Sequence, residues 1–181
     1  MTTGFTADQL NAHVPRLRRY ARALTGNRDA ADDLTQDTLE RAWNKRALYD
    51  GTGGVQPSSL RAWLHAVMHN VFINGLRQRR VAESLDERLD GGAGLPAAGA
   101  SAETRAALRD LQRALAQLPD EQRAVVLLVG LEQLSYAEAA GALGVPIGTV
   151  MSRLSRGRER LRQLMGEAPG DGGAGGLRRI K

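Results

Sequence analysis

The stretch from residue 134 to residue 162 constrains the fold of this chain most strongly, because it encodes two helices joined by a tight turn. Ser135 and Glu138 form a Ser-x-x-Glu capping box, which predicts that a short helix begins there. Gly144 can adopt the left-handed conformation that ends this helix, and Pro146 suits the first turn of the next one. A short helix, a glycine-containing turn and a second helix are typical of the helix-turn-helix arrangement.

The second predicted helix has one apolar stripe and one cationic face. Its apolar residues recur at spacings of four, seven and three: Val150, Leu154, Leu161 and Leu164. In helix-turn-helix proteins a polar, cationic face enters the DNA major groove. A single basic helix is simply a solvated surface about as often as it is a DNA-binding one. The DNA-binding interpretation therefore also depends on the capping box and the turn. The residues of the cationic face are Thr149, Arg153, Arg156 and Arg160, with Ser152 beside them.

Composition narrows the fold class and the type of partner. With 42% apolar but only 4% aromatic residues in 181, the hydrophobic core must consist mainly of Leu, Val and Ala, which favours an all-α fold. The formal charge of +5 and the pI near 10.4 point to a polyanionic partner. The absence of cysteine excludes disulfides, Cys-ligated zinc and thiol catalysis.

No segment resembles a signal peptide, and no apolar run is long enough to span a bilayer. We therefore expect a cytoplasmic protein without membrane insertion.

The first third of the chain predicts two helices of different character. The first has an apolar stripe and contains Pro15, so it is either kinked or restarts there. The second begins with acidic residues, and the helix macrodipole explains only those of its first turn. An acidic stripe on a basic chain suits docking to a basic protein surface. Its members are Asp29, Asp33, Asp37 and Glu40, adjoined by Asp32 and Gln36; Leu34, Thr38, Leu39, Ala42 and Trp43 form the buried side.

A third helix is predicted after the cap at residues 57–59, and it ends in a cationic cluster. It combines a planar aromatic side chain, an amide and several guanidinium groups, which fits a surface that holds unstacked bases and phosphates. Trp63 could equally belong to the hydrophobic core. The candidate residues are Trp63, Asn70, Arg77, Arg79 and Arg80.

Between these helices and the helix-turn-helix the composition changes to Gly, Ala, Leu and Pro, which indicates a flexible linker. The sequence thus predicts two small helical domains on a tether, the second containing the helix-turn-helix. The predicted bounds are 1–85 for the first domain, 86–102 for the linker, 103–165 for the second domain and 166–181 for a disordered tail.

Residues for catalysis or metal binding are lacking. His65 and His69 have a helical i, i+4 spacing, but the Glu of the zinc-protease motif and a third ligand are missing. The G-x-G-x-x-G match at residues 170–175 follows no strand, and no phosphate loop or catalytic triad stands out. We predict no cofactor, no metal and no enzymatic activity.

Three motifs together resemble the extracytoplasmic-function group of bacterial sigma factors. Residues 30–39, Ala-Ala-Asp-Asp-Leu-Thr-Gln-Asp-Thr-Leu, resemble the helix by which that family docks on RNA polymerase. Residues 61–64 and 70–73 resemble the segment that opens and reads the −10 promoter element. Residues 118–162, including Gly-Thr-Val at 148–150, resemble the module that reads the −35 element. The motifs occur in the family's order.

The resemblance implies a role for each matching residue. Asp32, Asp33, Gln36 and Asp37 would dock on polymerase. Asn70 would contact a flipped base, supported by Trp63, and Arg77, Arg79 and Arg80 would hold nearby phosphates. Thr149, Ser152, Arg153, Arg156 and Arg160 would face the −35 groove, and Ser135 and Tyr136 would approach the DNA backbone. The implied partners are core RNA polymerase, promoter DNA and an anti-sigma protein.

Two residues depart from the family pattern. Met151 stands where a basic residue is usual, which puts one phosphate contact in doubt. Gly157 replaces a usual alanine, which predicts a recognition helix weakened by roughly 1 kcal/mol.

Other functions remain open at this stage. A free-standing helix-turn-helix regulator would bind DNA tightly without polymerase and would not need the acidic helix. A sigma mimic that sequesters an anti-sigma protein would tolerate loss of Arg153 and Arg156. A nucleic-acid enzyme has no candidate catalytic group.

Overall fold

The computed structural model describes residues 4–49, 59–83 and 101–166, and all regular elements in these ranges are helical. The all-α prediction is confirmed. The first module comprises α1 (Ala7–Thr25), α2 (Arg28–Asn44), a 3-10 turn (Arg46–Leu48) and α3 (Leu60–Glu83). The second comprises α4 (Ala102–Ala116), α5 (Asp120–Gly130), α6 (Tyr136–Leu143) and α7 (Ile147–Leu164). Almost all of the predicted linker, and the predicted tail after residue 166, lie outside the described residues.

Side-chain caps define the helix ends of the first module. Thr6 caps α1 by accepting a hydrogen bond from the Gln9 amide, and the Gln9 side chain accepts one from the Thr6 amide in return. Gly26, at φ 68°, ends α1 in the left-handed conformation. The helix runs without interruption through Pro15, so the alternative of a restart there is wrong.

The helix-turn-helix forms as predicted, with small shifts at its borders. The Ser135 hydroxyl accepts from the Glu138 amide at 3.2 Å, and Gly144 has φ 65°. Pro146 precedes α7 as its N-cap instead of occupying its first turn. The preceding helix, α5, ends at Gly130, and Gln133 adopts a φ of 55° that is uncommon outside glycine.

The buried apolar residues of the two modules form one continuous hydrophobic core. Aromatic rings fill the part of this core that belongs to the first module, where Trp63 packs between Phe5 and Tyr49 with centroid distances of 5.6 and 5.8 Å. In the part that belongs to the second module, Val150 and Leu154 of α7 are buried against α5, whereas Leu164 lies at the exposed end of the predicted stripe. Of the described helices, none has the length and apolarity needed to cross a membrane.

Gly157 allows α7 to approach α5 closely. A Cβ atom built at this position would lie 2.7 Å from Cγ2 of Val126, well inside van der Waals contact. The glycine is therefore a packing requirement, and the expectation that it merely weakens the recognition helix is wrong.

The two modules contact each other directly. Helix α1 lies against α4 and α5, and α3 lies against α6. Arg123 is central to the first contact, because its guanidinium donates to Leu24 O at the end of α1 and to Leu115 O and Leu118 O near the end of α4, all within 2.9 Å. Carbonyls at a helix end lack the partner that the next turn would supply, and Arg123 provides one for Leu24 O of α1. The two predicted helical domains are present, and the direct contact between them is an addition that the sequence did not predict.

His69 of α3 also lies in the contact between the modules. Burial, together with a smaller effect of the charge of Arg153 on α7, lowers the pKa of His69 to about 4, against an opposing effect of Glu121 on α5. The neutral imidazole is therefore the form that the packed modules favour.

We predict that Gly157→Ala destabilises the second module by about 1 kcal/mol, because overlap with Val126 outweighs the gain in helix propensity. Gly148 of the same helix has open space around its Cβ position, so Gly148→Ala is the matched control and should be neutral or stabilising. Denaturant unfolding followed by circular dichroism measures both. Equal stabilisation by the two substitutions would contradict the close packing of α5 and α7.

We also predict that the free energy of unfolding falls as the pH drops from 7.5 to 5. The unfolded chain, with a histidine pKa near 6.5, binds a proton at His69 that the folded chain excludes until about pH 4. The stabilisation that comes from the neutral His69 is thus present above pH 6.5 and decreases below it, by an amount on the order of 1–2 kcal/mol at pH 5. His69→Asn should flatten this pH dependence; an unchanged slope would show that the buried imidazole does not carry it.

Candidate protein and nucleic-acid interfaces

The acidic stripe of α2 lies on the surface of the first module. Asp29, Asp33, Asp37 and Glu40 are exposed, as is Gln36, while Asp32 is half-buried at the border of the stripe. Among the described residues none of the four exposed carboxylates forms an ion pair. The opposite face of α2 is buried through Leu34, Thr35, Thr38 and Ala42. These carboxylates are free to meet a cationic partner.

Trp43 departs from its predicted place on the buried side of α2. Its indole is 39% exposed, and the Arg46 guanidinium lies over the ring at 4.6 Å from the centroid. The acidic stripe is therefore continued at the helix end by an exposed aromatic ring with a cation above it.

The candidate −10 residues occupy different environments on α3. Asn70 and Arg77 are exposed and seven residues apart, so they share one face of the helix. Trp63 is only 6% exposed within the aromatic cluster, which agrees with its interpretation as a core residue in this structure. Arg79 and Arg80 lie in α3, but their side chains are outside the described part of the chain.

The cationic face of α7 is largely open to solvent. Ser152, Arg156 and Arg160 are exposed, whereas Thr149 is half-buried. Arg153 is also half-buried, because its guanidinium forms an ion pair with Glu121 of α5 at 2.6 Å. The structure thus brings the five predicted residues to one face, but Arg153 is already paired with Glu121.

The side chains of Ser135 and Tyr136, at the start of α6, differ in how free they are to contact a partner. The Ser135 hydroxyl accepts from the Glu138 amide and donates to Glu138 Oε2, so it serves the cap of its own helix. Tyr136 is 39% exposed and leaves its side chain accessible beside the turn.

A buried carboxylate between the modules was missed by the sequence interpretation. Glu132, in the loop before α6, has no exposed surface, and its Oε1 accepts from Arg19 Nη2 at 2.8 Å. Its Oε2 lies 3.6 Å from Nε2 of His65, which is also buried. Since His65 Nδ1 donates to Arg61 O at 2.7 Å, Nε2 carries a proton only in the imidazolium form. Burial lowers the pKa of His65, although the Arg61 carbonyl and Glu132 oppose this effect.

A second carboxylate, that of Glu138, also joins the modules. Glu138 Oε1 accepts from Ser59 Oγ at 3.0 Å, and Arg61 lies 3.9 Å from Oε2. Partial burial acts to raise the pKa of Glu138, but hydrogen bonds from Ser135 and Ser59 outweigh it and lower the pKa. The sequence signal for Glu138 was its capping box, and its second partner was not readable from that motif.

Two family models match this chain in the order of its modules. The model for the Sigma2 domain of PhyR matches residues 10–69, and the model for Sigma-70, region 4 matches residues 108–161. The first range contains the acidic stripe, and the second contains the helix-turn-helix.

Curated relatives align with most of the chain. ECF RNA polymerase sigma factor EcfG of Rhodopseudomonas palustris is 36% identical over 160 residues, which cover 87% of this chain and 83% of the relative. SigL of Mycobacterium tuberculosis is 38% identical, covering 86% and 85%. SigE of Mycolicibacterium smegmatis is 39% identical over 84% of this chain, which spans only 58% of that relative.

Solved structures share the fold. The sigma factor RpoE of Bartonella quintana, in complex with the anti-sigma factor NepR, is 35% identical with a TM-score of 0.76, covering 88% of this chain and 95% of RpoE. CnrH in complex with the cytosolic domain of CnrY has a TM-score of 0.63 over 88% of this chain and 86% of CnrH; at 24% identity it supports the fold alone.

The identity to EcfG and SigL over more than four-fifths of their lengths confirms the resemblance of the three motifs. The chain belongs to the extracytoplasmic-function group of RNA polymerase sigma factors.

Proposed function

We propose that this chain directs core RNA polymerase to specific promoters and promotes strand opening at the start of transcription. The observation that carries the proposal is the separation of charge: an exposed acidic stripe on the first module and an exposed cationic face on the second. One surface suits a basic protein and the other suits DNA. The first module would extend over residues 1–85 and the second over 103–165.

The acidic stripe would dock on polymerase through Asp32, Asp33, Gln36 and Asp37. Because these exposed carboxylates have no ion-pair partner to lose on association, their charges are available to a basic partner surface. Opposite charges across such an interface also raise the association rate.

Helix α3 would hold the opened −10 element. Asn70 can both donate to and accept from a base edge, which suits capture of a base taken out of the stack. Such capture offsets an unstacking cost of a few kcal/mol, so strand opening needs no ATP. Arg77, with Arg79 and Arg80, would hold phosphates, and Trp63 would support the site by fixing α3 within the first module.

The cationic face of α7 would enter the major groove at the −35 element. Arg156 and Arg160 are free to contact bases or phosphates, whereas Arg153 must first exchange Glu121 for DNA. Ser135 and Tyr136 would contact the phosphate backbone beside the turn.

We infer an anti-sigma protein as a further partner, since the similar sigma factor RpoE was solved in complex with the anti-sigma factor NepR. The action on polymerase places the chain in the cytoplasm and requires no enzymatic activity of its own.

The proposal predicts that transcription by purified core polymerase from a library of genomic fragments starts at a distinct set of sequences when the chain is added. Asp33→Arg should reduce this initiation at least tenfold, because it places a like charge against the basic docking surface. Asp110→Arg, which reverses an exposed carboxylate on α4, is the matched control and should retain activity. Wild-type protein that never assembles with core polymerase would contradict the proposal.

A second candidate function is supported by the match of residues 10–69 to the Sigma2 domain of PhyR. PhyR of Bartonella quintana is an anti-anti-sigma factor solved with NepR; at 16% identity it shares only the fold. A sequestering protein of this kind would keep its activity after Arg156→Ala, whereas a promoter-reading sigma factor should lose initiation at −35-dependent starts.

A further inference from the structure

Two exposed apolar side chains stand at the start of α7, the helix proposed for the −35 element. Ile147 is 49% exposed and Met151 is 53% exposed, and neither packs against the hydrophobic core. We propose that these two side chains, the apolar pair, recognise thymine methyl groups in the −35 element. The inference rests on the proposed function and specifies part of the DNA sequence that α7 would select.

The apolar pair lies at the end of α7 that would reach the bases. The helix begins at Ile147, and Met151 follows four residues later, so the two side chains are neighbours on one face. In a helix-turn-helix, the N-terminal residues of the second helix contact base edges in the major groove. The apolar pair therefore occupies the turns of α7 where bases would come within reach.

The cationic face of α7 lies on a different side of the helix. At 3.6 residues per turn, Arg156 lies about 140° around the axis from Met151, with Gly148 and Ser152 between them. A Cβ atom at Gly148 would have open space around it, so no large side chain separates the apolar pair from the polar residues. Because the major groove is about as wide as a helix, an inserted α7 would meet it with more than one side. Arginines and the apolar pair can then contact the same DNA.

Thymine supplies the apolar group that such side chains can recognise. All base pairs present hydrogen-bonding groups in the major groove, and thymine adds the C5 methyl group. Isoleucine and methionine have no hydrogen to donate, so they cannot pair with the polar base edges. Against another base they would remove water from a polar edge without replacing its hydrogen bond, which costs free energy. Attraction to the methyl group and this penalty favour the same sequence.

Methionine changes what position 151 contributes to binding. It replaces the basic residue that is usual there, and a basic residue would strengthen binding to any DNA sequence through phosphates. Methionine is unbranched and adapts to the surface it meets, whereas the β-branched Ile147 is stiff. The chain thus gives up affinity that is independent of sequence and gains selectivity.

A protein partner is the competing explanation for an exposed apolar pair. The surroundings favour DNA, because Ser152, Arg156 and Arg160 of the same helix are exposed and polar or cationic. The core of a protein interface is depleted of charge, and two side chains supply only a small part of the area that a stable protein complex needs.

The test compares thymine with uracil, which lacks only the C5 methyl group. The probe is a promoter fragment recovered from the library transcription experiment and synthesised with thymine or with uracil at every T of the −35 element. Its equilibrium binding is measured with the full-length chain in complex with core polymerase. We expect uracil to weaken binding about fourfold for each methyl group that the apolar pair contacts. Uracil placed only in the spacer between the two elements is the DNA control and should change nothing.

Substitutions in the apolar pair should remove this preference. Ile147→Ala and Met151→Ala should each lower the ratio of thymine to uracil binding towards one. Met151→Lys should also lose the preference, while the salt dependence of its DNA binding steepens by about one in log–log slope because a phosphate contact is added. Met165→Ala is the matched control, since it removes a methionine of similar exposure, 43%, just beyond α7. It should keep the wild-type ratio.

Equal binding of the wild-type chain to thymine and uracil DNA would overturn the inference, as would full preference in both alanine variants. Alanine variants that no longer bind core polymerase would assign the apolar pair to a protein contact and would overturn it as well. A wild-type chain that starts transcription from no fragment would contradict the proposed function, and the inference would fall with it. These outcomes are distinguishable because transcription from thymine DNA is measured first.

Discussion

The contact between the two modules depends on a carboxylate with no access to water. Glu132 meets Arg19 and His65, and a second polar contact joins Glu138 to Ser59. Burial of a charge is tolerable only when its partners are held in place, so α1 and α3 must pack against the loop before α6. Arg123 adds a second constraint, because it donates hydrogen bonds to carbonyl oxygens at the ends of α1 and α4.

Charge is divided between the modules in a way that suits sequential recognition. The carboxylates of α2 have no ion-pair partner among the described residues and face solvent, whereas the cationic face of α7 is partly engaged through Arg153 and Glu121. In the proposed function, docking through α2 would require no rearrangement, while a contact of Arg153 with DNA would require its release from Glu121. A chain of this kind would meet polymerase before it meets a promoter, which limits unproductive binding to the many non-specific sites on DNA.

The sequence predicted the local elements well because their determinants are local. The Ser135–Glu138 box, the left-handed Gly144 and the exposed acidic stripe follow from cap chemistry and helical spacing. The modules' contact was not predictable, since an amphipathic pattern shows which face is buried but not against which helix. Glu132 follows a mainly apolar run, which hinted at burial, yet its partner Arg19 lies 113 residues before it and its other neighbour, His65, lies in α3. Trp43 and Gly157 were misjudged for the same reason, because neighbours in space decide their environments.

The central claim follows from the proposed function: α3 and α7 would act on separate promoter elements, so transcription requires the two modules to separate. Its most direct test joins them covalently, with Ser59→Cys and Glu138→Cys bridged by a short bifunctional thiol reagent across side chains that lie 3.0 Å apart in the natural chain. The unbridged double variant controls for loss of the two side chains. Transcription with core polymerase is then measured before and after bridging. The account predicts that the bridged chain still binds core polymerase but no longer opens promoters; full initiation by the bridged chain would contradict it.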